Sequence, residues 1–312
     1  MNRTDGLDRF VKPVAMQEHS TSYFSKPSDE LDPQLFSGTT LKGSIRNGIL
    51  HLLFGFLNET YVHADLWTRV WIAGSAVSYQ WEAHRDPGDL DVLIGVDYIQ
   101  FRKAHPAYAG LGNTEISKML NEEFREHLQP DTTYWNGFEV TFYVNPGATD
   151  IRVINPYAAY DLTHNEWTVF PKKEGAPISR VGEKLASSDT SKAQEIIARY
   201  SKALTDLQGA QNDPARRNAE FRLQTALMQG SMLFEDIHHS RRYAFNPSGY
   251  GYADFYNYRW QAGKRSGAVP ALKQMSEYWS AYKSKQADET YGIDLPDTQT
   301  LIRRAATYRA KG

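Results

Sequence analysis

Two aspartates, Asp89 and Asp91, are the residues whose type and spacing most directly indicate chemistry. They lie in an apolar run that ends at Val96, and side chains alternate along a strand, so both acids share the face opposite Leu90 and Val92. About 6 to 7 Å separates them along the strand. Like charges this close raise each other's pKa unless a cation lies between them, so the pair predicts a site for a divalent ion such as Mg²⁺.

A second feature, upstream of the acids, suits a phosphate group. The apolar run that begins at Val70 stops at Gly74 and Ser75. A glycine after a strand lets backbone approach a ligand closely, and N–H groups at the start of a following helix can hold a phosphate. The gap before Asp89 leaves room for one short helix. We therefore expect Gly74 and Ser75 to bind the phosphates of a nucleotide.

The order of these features resembles the nucleotidyltransferase superfamily, which includes DNA polymerase β, the CCA-adding enzymes and the aminoglycoside nucleotidyltransferases. The similarity rests on an apolar strand, Gly74-Ser75, a gap, and Asp89-Leu90-Asp91 in a second apolar strand, and it covers the first half of the chain. The family usually has a small hydroxyl residue before the first aspartate, where this sequence has Gly88. The alternative is a surface strand with two solvated acids.

The resemblance implies transfer of a nucleoside monophosphate from an NTP, such as ATP, to an acceptor hydroxyl with release of pyrophosphate. Two Mg²⁺ or Mn²⁺ ions about 3.5 to 4 Å apart would activate the nucleophile and stabilise the leaving group. Asp89 and Asp91 are expected to bridge both ions. A third carboxylate on a neighbouring strand is also implied. We assign it to Glu139, as a metal ligand that can help take the proton of the attacking hydroxyl.

Glu139 belongs to a predicted hairpin. The run from Phe138 to Val144 alternates apolar and polar residues, and Asn136-Gly137, the favoured two-residue turn, precedes it. If this strand lies beside the aspartate strand, Glu139 can join the two acids. A solvent-facing glutamate is the alternative. Asp150 and Asp161, which adjoin two further strand-like runs, are competitors for the same role.

The surrounding elements predict a two-domain α+β protein. Residues 1–180 are expected to form the catalytic domain, a mixed sheet with helices of the nucleotidyltransferase type, preceded by a loosely packed arm rich in proline. Residues 181–312 are expected to form a helical domain that binds nucleotide or acceptor and closes over the nucleotide. Asp189 and Asp213 are predicted to cap its first two helices, and further helices are predicted near 270–285 and 297–309.

One stretch of the second half, residues 238–265, interleaves basic and aromatic side chains and contains a single acid, Asp254. Aromatic faces stack bases while Arg and Lys hold phosphates. We therefore expect Arg241, Arg242 and Lys264 to bind the triphosphate or an acceptor nucleic acid, RNA or DNA. The alternative is that the tyrosines and arginines of this stretch are an internal part of the helical domain.

Composition narrows the class of protein. The chain has 312 residues, 41% of them hydrophobic, a net charge of -2 and no cysteine, which excludes disulfides, thiolate zinc sites and a cysteine nucleophile. The near-neutral balance argues against a protein coated in nucleic acid. The N-terminus lacks an apolar signal core, and the longest apolar run is too short to cross a bilayer. We expect a cytoplasmic protein without a membrane partner.

The layout of the whole chain also resembles nucleotidyltransferases encoded by bacteriophages of actinobacteria, which would place it in the host cytoplasm. Two other functions compete with nucleic-acid modification. One is a non-catalytic nucleotide sensor or scaffold, although a degenerate protein is expected to lose Asp89 or Asp91. The other is transfer to a protein side chain or a small molecule.

Overall fold

The protein is described from a computed structural model. It covers Leu7 and residues 11–81, 87–145, 149–173 and 180–291. The chain divides into two compact units, a sheet unit of Phe24–Gly175 with Pro296–Gly312, and a helical unit of Met1–Tyr23 with Ala176–Leu295. This segregation of strands and helices confirms the α+β class. The N-terminal arm, which we expected in the catalytic domain, belongs to the helical unit.

The sheet unit contains seven strands among the described residues. They are β1 (Phe36–Ser37), β2 (Thr40–Leu41), β3 (Thr68–Ala73), β4 (Gly88–Val96), β5 (Phe138–Val144), β6 (Ala159–Asp161) and β7 (Glu166–Val169). Five α-helices of the same unit are described, α1 (Gly43–Thr60), α2 (Ala64–Trp67), α3 (Tyr98–Ala104), α4 (Asn113–Glu123) and α5 (Gln129–Thr132). A π-helical turn, Phe124–Leu128, joins α4 to α5.

Five of the strands form one mixed sheet in the order β5-β4-β3-β6-β7. β4 and β5 are parallel, and the other neighbouring pairs are antiparallel. A parallel pair needs a long crossover, and α3, α4 and α5 lie in the connection between β4 and β5. This crossover brings Glu139, fifty residues after Asp89 in the sequence, onto the strand beside it.

One face of the sheet forms the main core. Leu90, Val92, Val140 and Val144 are buried there, as the alternation of side chains predicted, and they pack with apolar residues of α1 and α4. The opposite face has a smaller cluster of four buried residues, Trp71, Ala73, Ile151 and Ala159. We call this second face the acid face, because Asp89, Asp91 and Glu139 lie on it.

Part of the acid face is covered by the chain itself. At Gly95, a Cβ atom would lie 2.4 Å from the carbonyl oxygen of Thr149, so the backbone at Thr149 lies directly against β4. Asp91, four residues earlier on the same strand, is exposed. The sheet therefore buries one end of this face and leaves acidic side chains at the other.

The helical unit has four helices among the described residues, α6 (Arg180–Gln208), α7 (Asp213–Ala244), α8 (Phe255–Arg265) and α9 (Ala268–Tyr291). Their core also contains Leu7, Val11 and Val14 from the N-terminal arm. The Tyr200 hydroxyl donates a hydrogen bond to the Lys12 carbonyl oxygen at 2.6 Å. Our expectation of a loosely packed arm was wrong, because its three aliphatic side chains find partners far away in the sequence.

Several local predictions also need correction. α6 begins at Arg180, so Asp189 lies inside the helix instead of capping it. Asn212, one residue before Asp213, caps α7 by accepting a hydrogen bond from the Ala215 N–H at 2.9 Å. The Asn136-Gly137 turn is present, with φ values of 52° and 85°, but the hairpin prediction was wrong, because Trp135 forms only an isolated bridge with Phe138 and no strand precedes the turn. The helix predicted near 297–309 lies outside the described residues.

Within the described residues, no helix combines the length and the apolar character needed to span a membrane.

Candidate functional site

The parallel pair β4 and β5 positions the three predicted acids. In their register Asp89 is directly opposite Glu139, and Asp91 is opposite Thr141. Neighbouring strands are about 4.8 Å apart, so Asp89 and Glu139 start from adjacent backbone positions. Their flanking residues Leu90 and Val140 are buried in the main core, which directs both carboxylates to the acid face. The structure thus brings Glu139 to the aspartates.

Thr141 was given no role by the sequence, yet it is the register partner of Asp91. Its side chain is half-buried and lies on the acid face, two residues from Glu139. The alternation of side chains that places Glu139 on the acid face places Thr141 there as well. The sequence does not give the strand register, which is what pairs Thr141 with Asp91. The threonine hydroxyl adds a group that both donates and accepts hydrogen bonds beside the carboxylates.

Gly74 lies against the Asp91 carboxylate. Its φ is +92°, a conformation that favours glycine, and a Cβ atom there would lie 3.1 Å from Asp91 Oδ2. Ala73, the residue before it, is the register partner of Asp91 on β3. The missing side chain leaves room for a ligand group next to this oxygen. The structure therefore joins the predicted phosphate-binding glycine to the predicted metal-binding acid.

The helix expected after Ser75 is absent from the described residues up to Trp81, which form turns and bends. The Ser75 carbonyl accepts hydrogen bonds from the Ser78 N–H at 3.0 Å and from the Ser78 hydroxyl at 2.9 Å. These bonds close a tight turn. Among the described residues up to Trp81, therefore, the expected helix N-terminus is missing, and the Gly74-Ser75 backbone turn is what remains of the predicted phosphate site.

Gly88 stands where a small hydroxyl residue was expected before the first aspartate, and packing explains the difference. A Cβ atom at Gly88 would lie 2.7 Å from the Phe138 ring, which belongs to the neighbouring strand. Gly88 and Phe138 are register partners of the parallel pair. A hydroxyl residue at this position would force the Phe138 ring to shift, which favours glycine here.

The competitor Asp161 is engaged elsewhere. Its carboxylate is fully buried and accepts hydrogen bonds from Arg69 Nε at 2.8 Å and from the His164 N–H at 2.9 Å. Asp161 is on β6, where its register partner is Trp71 of β3. Because β6 is two strands away from β4, the Cα atoms of Asp161 and Asp91 are about 12 Å apart. Asp161 therefore neutralises Arg69 inside the sheet unit and does not join the acid pair.

Asp150 is also paired with arginine. It receives two hydrogen bonds from the Arg152 guanidinium, at 2.6 and 3.0 Å, and lies 3.4 Å from Arg69. The hydrogen bonds from Arg152 lower the pKa of Asp150 to about 2. Glu139, in contrast, has no hydrogen-bond or ion-pair partner among the described residues. Of the three candidates, Glu139 is the acid left available for a ligand.

The carboxylates of Asp89, Asp91 and Glu139 share a face, but their oxygen atoms are not gathered to within metal-ligand spacing. Among the described residues, only Glu235, His238 and His239 on α7 meet that spacing, with ligand atoms within 4.8 Å of one another. Rotation about side-chain bonds can bring such oxygen atoms closer without moving the strands. The strands therefore place the three acids on one face, and their oxygen atoms do not form a metal site as they stand.

We assign no metal to the α7 group. Burial first, and then the charges of His239, Arg242 and Arg241, lower the pKa of His238, against an opposing effect of Glu235. The same positive charges oppose a bound cation. His239 already pairs with Glu235 at 3.1 Å. This group is therefore a surface cluster of α7 and no part of the acid face.

The basic and aromatic stretch divides between interior and surface. Arg259 is bound to Asp189 at 2.5 Å and to Asp236 at 2.6 Å, and it is largely buried. Tyr252 donates a hydrogen bond to the Tyr23 carbonyl oxygen at 3.1 Å. These residues hold the helical unit together, which agrees with the alternative prediction that this stretch is an internal part of that domain. They are not available to a nucleotide.

The three predicted phosphate ligands of this stretch occupy different environments. Arg241 is half-buried, and its guanidinium lies 5.3 Å from the rings of both Phe245 and Trp260, which indicates a packing role. Arg242 is exposed in the last turn of α7. Lys264 is half-buried in the last turn of α8. The structure does not bring the three together as one phosphate site, and Arg242 alone is fully presented to solvent.

Comparison with known proteins adds no assignment. No protein-family model matches the chain, and no curated protein or solved structure does so. Function must therefore be argued from the chemistry of the acid face and from the surface of the helical unit.

Proposed function

We propose that the protein is a metal-dependent nucleotidyltransferase that moves a nucleoside monophosphate from an NTP to an acceptor hydroxyl, with a nucleic acid as the favoured acceptor. The observation that carries this proposal is the register of β4 and β5, which sets Glu139 beside Asp89 on the face that also bears Asp91. Gly74, whose absent side chain leaves space against the Asp91 carboxylate, supports it. An NTP-consuming reaction of this kind suits the cytoplasm.

The donor set fits Mg²⁺ or Mn²⁺. Carboxylate oxygens are the hard ligands that these ions prefer, and all three predicted ligands are carboxylates. Asp89, Asp91 and Glu139 would hold the ions. When bound, such ions neutralise phosphate charge and lower the pKa of a coordinated hydroxyl.

The residues of the chain have defined tasks in this proposal. The acceptor oxygen attacks the α-phosphorus, the bond from that phosphorus to the pyrophosphate oxygen breaks, and the hydroxyl proton passes to Glu139. Asp89 and Asp91 would hold the ions that bring the anionic phosphate and the hydroxyl together, and the Gly74-Ser75 backbone leaves room for the phosphates beside Asp91. Positioning and charge neutralisation supply most of the rate enhancement in such transfers, so no nucleophilic side chain is needed.

The test is incorporation of label from each NTP, supplied with Mg²⁺ or Mn²⁺, into RNA, DNA or protein. Asp91→Asn should abolish transfer while the protein stays folded, because it removes the charge of a carboxylate expected to bridge both ions and Asp91 is exposed. Glu166→Gln is the matched control, since Glu166 is an exposed acid on β7 of the same sheet. It should retain full activity.

Near-normal turnover by Asp91→Asn would exclude this mechanism. Binding of NTP without transfer to any acceptor would instead favour a nucleotide sensor. Labelled protein in place of labelled nucleic acid would keep the catalytic chemistry and change the acceptor.

A further inference from the structure

The loop between α7 and α8 brings two exposed tyrosines together. Tyr243, in the last turn of α7, is 61% exposed, and Tyr256, in the first turn of α8, is 37% exposed. Their ring centroids lie 5.8 Å apart with an interplanar angle of 49°. Two aromatic rings thus lie side by side, tilted against each other, at the surface of the helical unit.

The loop is fixed by its one acid. Asp254 accepts hydrogen bonds from the Tyr256 N–H at 2.9 Å and from the Tyr250 N–H at 3.1 Å, and it is 9% exposed. As the N-cap of α8 it stabilises the helix start that carries Tyr256. The only carboxylate of the stretch is therefore turned toward backbone donors, and its charge is largely withdrawn from the surface.

The adjacent charge is positive. Arg242 precedes Tyr243 in the sequence, is exposed, and forms no ion pair among the described residues. Arg259, an interior arginine of α8, already binds Asp189 and Asp236. The pairing of the interior arginine leaves the exposed one available to an external anion.

We infer that Tyr243, Tyr256 and Arg242 form a docking surface for single-stranded nucleic acid. Open bases can stack on the two tyrosine faces while Arg242 contacts the backbone phosphate, a combination typical of single-strand binding. A duplex hides its base faces, and an acidic peptide would not use the rings in this way. The inference rests on the proposed function in one respect: if the protein transfers nucleotides, the strand bound here is its acceptor, single-stranded RNA or DNA.

Binding is measured with the full chain, without NTP or divalent metal, by fluorescence anisotropy of labelled oligonucleotides of about 10 nucleotides, the scale of one single-strand site. RNA, DNA and duplex probes of equal length are compared over a salt series. We expect the single strands to bind more tightly than the duplex. The RNA and DNA arms show which acceptor is preferred.

Tyr243→Ala should weaken binding about tenfold without changing the salt slope, because stacking releases few counterions. Tyr243→Phe keeps the ring and should bind nearly as the parent does. Arg242→Ala should reduce the slope of log affinity against log salt by about one, as expected for one lost phosphate contact. All three side chains are exposed, so melting temperatures should not change.

Two substitutions serve as matched controls. Tyr134, 64% exposed in the sheet unit, and Arg217, exposed near the start of α7, should tolerate replacement by alanine without loss of affinity. Asp91→Asn should also bind normally, which separates this inference from the proposed chemistry. Equal affinity for duplex and single strand, unchanged affinity of Tyr243→Ala, or absence of binding would each overturn the docking surface, even if NTP transfer is found.

Discussion

At the scale of single residues, what each carboxylate meets decides its role. Asp150 and Asp161 attracted attention in the sequence because acids beside strands are candidate ligands, but both are bound to arginine. In the sequence, Glu139 and Asp161 are both acids on or next to predicted strands, and nothing local distinguishes them. The burial of Asp161 and its ion pair with Arg69, about ninety residues away, appear only in the structure. Alternation could place Glu139 on a face, and only the strand register could place it beside Asp89.

Glu139→Gln should lose most transfer activity, because it removes a charge opposite Asp89 while preserving shape. Asp150→Asn should retain activity. Asp161→Asn should also retain activity per folded molecule but lose about 2 kcal/mol of stability, because it removes the buried charge that pairs with Arg69 and leaves Arg69 only the longer contact to Asp150. Activity is measured by NTP incorporation and stability by urea unfolding. The reverse order of activities would move the third ligand to another strand.

Gly74→Ala tests the space beside Asp91. The new methyl group would meet Asp91 Oδ2 at 3.1 Å, so we expect a large loss of transfer together with about 1 kcal/mol of destabilisation from the positive φ. Gly38→Ala is the matched control, because Gly38 also has a positive φ of 62° but no atom within 4 Å of a new Cβ. It should show similar destabilisation and normal activity. Equal activity of the two variants would mean that Gly74 only makes the turn.

At the scale of elements, local chemistry predicted some features well. The two-residue period of β4 and the Asn136-Gly137 turn depend on residues that are close in sequence, and both are present. The start of α6 was predicted wrongly because aspartate is a common N-cap residue, whereas Asp189 lies within the helix and forms an ion pair with Arg259 of α8. Side chains that bond across the fold compete with their local propensities, and the sequence does not show which partner wins.

A pH-dependent contact joins α3 to the segment before α2. His105 Nδ1 lies 2.9 Å from the Phe101 carbonyl oxygen, which requires a proton there, and Nε2 accepts a hydrogen bond from the Val62 N–H at 3.0 Å. Protonation at Nε2 would break this second bond. Burial lowers the pKa of His105 below its ordinary value of 6.5. The neutral ring is therefore favoured by folding.

Because the folded pKa is lowered, the stabilisation by His105 is complete above pH 6.5 and is lost as the pH falls toward the folded pKa. The difference in unfolding free energy between the parent and His105→Asn should therefore shrink on acidification below pH 6.5. His51→Asn, at an exposed position of α1, should show no such convergence. Urea unfolding at several pH values measures both. A difference independent of pH would show that protonation does not break the Val62 contact.

At the scale of the whole molecule, two units with separate cores were foreseeable from chain length and from the change of pattern after residue 171. The membership of the N-terminal arm was not. Two charged residues follow Leu7, and Lys12-Pro13 separates Val11 from Val14, which predicts a loose segment when only neighbours are considered. The partners of these three aliphatic residues, on α6, α7 and α9, lie about two hundred residues away, and contacts of that sequence separation leave no local signal.

The arm should therefore stabilise the helical unit from a distance. Val11→Ala with Val14→Ala removes two buried side chains, each expected to contribute about 1.5 kcal/mol, so the pair should lower the unfolding free energy of that unit by roughly 3 kcal/mol. Glu18→Ala, at an exposed position of the same arm, should have no effect. Hydrogen exchange of α6 and α7 amides reports on this unit separately from the sheet. Because each unit has its own core, protection of β4 and β5 should be unchanged. Equal loss of protection in the strands would show that the two units unfold as one.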